Sequence, residues 1–267
     1  MALLTVLSTG GVLACGERAA RPAPGLPPAG LPSAGAAEPA AGLTRVAAPG
    51  GGPTAPAATA APAATAAPVA SAALPPGIGP TLGAKVPAGT GQLLLAVGAG
   101  RESSDSTVVL YQRAGDGSWQ EAGRWPAHNA LHGWTTDHRA GDLRSPIGVF
   151  TLSDAGGRLA DPGARLPYHR SPRFVDEERG FNGESLAGVF DYVIAVDYNR
   201  VPGTSPLDGQ HPEGAARGGG IWLHVDHNGP SHACITLPKG AMRTLLTTLD
   251  PARHPVIAMG DQASLAD

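Results

Sequence analysis

The sequence predicts a mainly β domain with one short amphipathic helix, preceded by a disordered Ala/Pro-rich tether. Three observations predict it. Beyond residue 87 the apolar runs are short and bounded by turn residues, as strands are. Only Ala241, Met242, Leu245, Leu246 and Leu249 repeat at helical spacing. All twelve aromatic residues lie at or after Tyr111 and all nine histidines between His128 and His254, so core and polar site are both C-terminal.

The N-terminal region carries no such signals. Residues 1–15 form an apolar segment ending Val12-Leu13-Ala14-Cys15. It is too short to span a bilayer, and small residues before a cysteine resemble a lipobox, which makes Cys15 a candidate lipidation site. Residues 16–86 read as a linker of Ala, Pro, Gly and Thr, without an aromatic residue and, between Arg45 and Lys85, without a charge. Such a chain buries too little apolar surface to offset its ordering entropy. A segment of this length spans roughly 45 Å as a coil and about 200 Å as extended polyproline. The net charge of −3 gives no reason to expect nucleic acid as a partner. Two cysteines are too few for a disulfide framework, their positions suggest separate duties, and no disulfide is expected.

The folded domain is expected over 87–262. Gln92 to Gly98 and Ser106 to Arg113 read as strands, and Asp116-Gly117 marks a turn into a third, irregular strand over Ser118 to Trp125. The run from Ile147 to Leu152 enters through Pro146, which fixes its backbone angle. Ser153 to Leu186 is long, polar and charged, and reads as one wall of a cleft. Tyr192 to Tyr198 is the next strand. Val201 to Gly220 is a second long loop, read as flexible because it ends in three glycines. Pro238 starts the helix, Asp250-Pro251 stops it, and Val256 to Met259 is the last strand.

The chemistry concentrates in Ile221 to Leu237, which holds three histidines and Cys234. Ile221 to Val225 reads as a buried strand, and Gly229-Pro230 as a turn that reverses it into a hairpin. That brings His224 beside Cys234. An imidazole next to a thiol takes its proton and stabilises the thiolate, so Cys234 is the candidate nucleophile and His224 the candidate base. His227 reads as an exposed turn residue, Trp222 as core, and His128 and His138 as surface or hydrogen-bonded residues. His132, with Gly133 and Trp134, is a candidate for the substrate cleft.

Several pieces together resemble the L,D-transpeptidase catalytic domain, the YkuD family. They are Ser145-Pro146-Ile147-Gly148-Val149-Phe150, Leu223-His224-Val225, and Ser231-His232-Ala233-Cys234-Ile235, followed by the helix and final strand. The resemblance runs from about Gln92 to Gly260. It departs at Ala233, where the family usually has glycine, at Thr236, where a basic residue is more common, and in the short His224–Cys234 spacing. The resemblance implies a YkuD-like β-sandwich with the helix packed after the nucleophile. It implies a thioester between Cys234 and a donor stem peptide, passed to an amine or to water. The backbone N–H groups of Ala233 and Cys234 would form the oxyanion site, Ser231 would orient the histidine or the loop, and His232 would line the site.

The expected partners are peptidoglycan stem peptides and, through the lipid anchor, a membrane; the location is extracytoplasmic, in the cell envelope. The protein is expected to be a monomer that needs no cofactor or metal. Two rival readings stand beside this one. A catalytically silent peptidoglycan-binding lipoprotein draws on Ala233. A zinc module would use His224, His227, His232 and Cys234 as donors, although the paired ligands usual in structural zinc sites are missing.

Overall fold

The computed structural model describes residues 74–267. The expected leader, Cys15 and most of the tether lie outside the described residues. The strands are β1 (Gln92–Gly98), β2 (Asp105–Arg113), β3 (Trp119–His128), β4 (Trp134–Thr135), β5 (Ser145–Pro146), β6 (Gly148–Thr151), β7 (Ala155–Gly157), β8 (Tyr168–Arg170), β9 (Val193–Ala195), β10 (Trp222–Val225), β11 (Ile235–Leu237) and β12 (Val256–Asp261). The helices are α1 (Pro80–Gly83), α2 (Lys239–Thr248) and α3 (Gln262–Ala266).

Ten strands join in one mixed sheet of order β6-β12-β1-β2-β3-β11-β10-β9-β7-β8, and β4 pairs separately with β5. The described residues are therefore mainly β, with ten strands in one large curled mixed sheet. The two halves share a core. Leu94, Val108 and Ile257 from one half and Ile194, Leu223 and Ile235 from the other belong to the same buried cluster, together with Met242, Leu245 and Leu246 of α2.

β1 reads Gln-Leu-Leu-Leu-Ala-Val-Gly because both its faces are covered. It runs parallel to β12 and antiparallel to β2. β3 pairs along its length with β2, whereas its other side meets β11 only at His128. The Glu121–Arg124 ion pair and Pro126 lie on that largely open edge, where charge and proline discourage pairing with another chain.

The folded part begins earlier and ends later than the expected 87–262. Leu82 of α1 and Leu265 of α3 are buried together against Leu93 and Leu95. The N–H of Gly79 donates to the Leu265 carbonyl (2.8 Å) and that of Thr81 to the Asp267 carbonyl (3.2 Å).

The expected hairpin at Gly229-Pro230 is absent. β10 and β11 are parallel neighbours, with Leu223 opposite Ile235, His224 opposite Thr236 and Val225 opposite Leu237. The connection over 226–234 swings out to residues 129–131, where Ser231 N–H donates to the Asn129 carbonyl (3.0 Å) and Leu131 N–H to the Ser231 carbonyl (2.9 Å). It then re-enters the sheet in the direction it left. The loop 201–220 is pinned as well. Asn199 Nδ2 donates to the carbonyls of Gly214 and Gly218, and Tyr198 Oη donates to that of Arg217.

Candidate active site

Side chains alternate between the two faces of a strand. On β10, Leu223 faces the core shared with α2, so Trp222 and His224 face the other way. Ile235 sits opposite Leu223 on the α2 face, which puts Cys234 on the face of Trp222 and His224. The parallel register therefore puts Cys234 and His224 on one face, but with Cys234 level with Trp222, and with Thr236 rather than Cys234 opposite His224. Phe190 packs edge-on against both Trp222 (5.2 Å between ring centroids) and His224 (5.1 Å).

Above His224 lies a cleft of about 250 Å³. One wall comes from the end of the loop 153–186, with Arg179, Phe181 and Leu186, and from Val189 and Phe190 beyond it; the other comes from His227, Pro230, Ser231 and His232. Phe181 packs on the His232 ring at 4.9 Å. Cys234 is wholly buried and is not among the residues that line the cleft; its Sγ accepts from the Trp222 N–H (3.3 Å) and stands 3.7 Å from the Gly220 carbonyl. Against the expectation of no disulfide, Cys234 is disulfide-bonded in this structure, so its thiol chemistry belongs to the reduced protein.

His224 Nδ1 is 3.0 Å from the Val225 carbonyl. A carbonyl only accepts, so Nδ1 carries the proton and Nε2 presents a lone pair. Burial depresses its pKa to about 4, with the neighbouring His227 adding to the effect. The imidazole is neutral at pH 7 and able to accept a proton.

Ser231 and Ala233 act through the loop. Ser231 Oγ donates to the Cys234 carbonyl (2.6 Å), so it shapes the nucleophile loop rather than the histidine. Ser145, in the Ser-Pro-Ile-Gly-Val-Phe run, donates from Oγ to the Ala233 carbonyl (2.8 Å) and accepts from the Ala130 N–H (3.1 Å). Ala233 itself is fully buried among core residues, and its φ is not positive. Its methyl points away from the cleft, and the backbone here does not require glycine.

His227 departs from its expected place. It is 8% exposed, lines the cleft, stacks on His224 (6.1 Å, 10° between planes) and holds Glu184 Oε1 with Nδ1 at 2.8 Å. His128 and Asp226 are a second partnership that sequence reading missed. Asp226 accepts from Thr236 Oγ1 (2.6 Å) and pairs with His128 Nδ1 (2.8 Å). Burial disfavours the Asp226 carboxylate, but hydrogen bonds from His128 and Thr236 outweigh it and hold the pKa at about 2. The hydrogen bond to Asp226 raises His128 in turn. The register His224–Thr236–His128 across three strands is the signal for this row, and it is legible only once the pairing is known.

His132, Gly133 and Trp134 do not line this cleft. His132 is exposed, and Trp134 is fully buried beside Gly98, where an added Cβ would lie 2.0 Å from its Nε1. His138 is buried rather than superficial, 3.0 Å from Asp142. Among the described residues, no three His, Cys, Asp or Glu side chains stand close enough to share a metal ion, so the zinc reading has no donor cluster. Nor does any described helix have the length and apolarity to cross a membrane. No family model, curated protein or solved structure matches the chain.

Proposed function

We propose that the protein is a cysteine-dependent acyltransferase of the L,D-transpeptidase type, acting on peptidoglycan stem peptides. The observation that carries this reading is the shared face of His224 and Cys234, with His224 neutral, lining a loop-walled cleft and committing its Nδ1 proton to the Val225 carbonyl. In the reduced protein the Cys234 thiol gives its proton to His224. The thiolate attacks a stem-peptide carbonyl, and N–H groups at Ala233 and Cys234 hold the oxyanion. The C–N bond breaks, the leaving amine takes the proton from His224, and a thioester remains. An amine acceptor resolves it into a cross-link and water into a shortened stem. The reading carries with it a cell-envelope location and, in the reduced protein, an anchor at Cys15.

A stem-peptide-binding lipoprotein without turnover is a second reading, favoured by the complete burial of Cys234. Intact mass of the reduced protein, incubated with a tetrapeptide stem, decides between them. The wild type is expected to gain an acyl mass. Cys234→Ala is expected to gain none, and His224→Gln to acylate on the order of 100-fold more slowly. A reduced wild type that binds the peptide without an adduct overturns turnover and leaves the binding protein.

A further inference from the structure

Resting on that reading, we infer that His227, oriented by Glu184, is the base for the second half of the reaction, taking the proton from the acceptor amine. The two cleft histidines are built differently. His224 Nδ1 faces a neutral backbone carbonyl, whereas His227 Nδ1 faces a carboxylate at 2.8 Å. The carboxylate is itself fixed: the Asn182 N–H donates to Glu184 Oε2 (2.8 Å), and Gly229 leaves the room, since a Cβ there would lie 2.2 Å from Glu184 Oε1. With Nδ1 committed, the lone pair of His227 is on Nε2, which meets no donor or acceptor among the described residues although His227 lines the cleft. This is the carboxylate–imidazole arrangement that orients a general base.

Stacking supports a division of labour. Two imidazoles 6.1 Å apart repel if both are charged, so only one of the two holds an extra proton at a time. Asp176 also lines the cleft, and with Glu184 it places negative charge where an ammonium would enter; Arg179 there donates to the Gly183 carbonyl. In the step itself, the neutral amine attacks the thioester carbonyl. The C–N bond forms, the C–S bond breaks, the amine proton passes to His227 Nε2, and Cys234 leaves as a thiolate.

The test separates the two half-reactions in the reduced protein. Acyl adduct is formed with a tetrapeptide stem, its rate read by intact mass, and its decay is then followed after adding glycinamide as the amine. In His227→Gln, decay is expected to fall roughly tenfold or more beyond any fall in acylation. Glu184→Gln, which leaves the imidazole in place, is expected to show the same imbalance to a smaller degree. Imidazole in the buffer is expected to restore decay in His227→Ala. Acylation and decay falling together, or decay untouched in both Gln variants, overturns the assignment while the thioester reading stands. A wild type without adduct overturns both.

Discussion

His224 is the residue whose environment makes the strongest demand on the fold. Its pKa is about 4 when folded, against about 6.5 in an unfolded chain. Between those values the unfolded state binds the extra proton and the folded state does not, so stability from this residue is intact above pH 6.5 and falls as the pH drops toward 4. The full effect is of the order of 3 kcal/mol. His128 works in the opposite sense, because its raised pKa stabilises the fold below pH 6.5 and that gain is lost as pH rises through the folded value. Urea unfolding of wild type and His224→Gln at pH 7 and pH 4.5 isolates the first term. The wild type is expected to lose its margin over the variant on acidification, and parallel losses would contradict a buried neutral His224. Cys234, His224, Ser231 and His232 stand out as candidates because thiol, imidazole and turn residues sit within one short stretch. His227 was not, since Gly229-Pro230 beside it reads as an exposed turn, and its partner Glu184 lies 43 residues away in a loop with no periodicity.

At the scale of elements, the sequence shows strands more clearly than it shows their partners. β1, β2, β10, α2 and β12 were legible from apolar runs and helical spacing, yet the β10–β11 connection has the turn residues of a hairpin and makes a parallel pair. What decides is non-local: Ser231 binds the backbone of residues 129–131, and Ser145 reaches the Ala233 carbonyl. Ser145 is fully buried and joins two backbone groups, the Ala233 carbonyl within the nucleophile loop and the Ala130 N–H in the segment that the loop rests on. Ser145→Ala leaves the Ala130 N–H and the Ala233 carbonyl without that partner, at a cost of about 1–3 kcal/mol. Because the Ala233 carbonyl belongs to the peptide carrying the Cys234 N–H, the same change loosens the proposed oxyanion site. The expected outcome is slower Cys234 acylation by intact mass together with a lower urea midpoint. Stability lost without any change in acylation would show that Ser145 holds the fold alone.

The whole molecule is closed by its two flanks. β12 arrives from the C-terminal end to lie between β1 and β6, so the sheet is complete only when residues some 160 apart have met. Contacts of such separation form late and slowly. Beyond β12, α3 lays Leu265 onto Leu93 and Leu95, and the same end receives the N–H groups of Gly79 and Thr81. This closure was invisible in the sequence because residues 74–86 continue the Pro/Gly composition of the tether and the last residues read as a polar tail. Leu265 is 0% exposed, so Leu265→Ala is expected to cost about 2–4 kcal/mol, the range for a buried leucine whose cavity cannot fully collapse. The cleft face, formed by β10, β11 and the loops over them, does not touch this end cluster, so the stem-peptide adduct should still form at temperatures where the variant is folded. Thermal unfolding beside intact mass checks both halves. A melting temperature equal to wild type would mean that the C-terminal helix is not part of the cooperative fold.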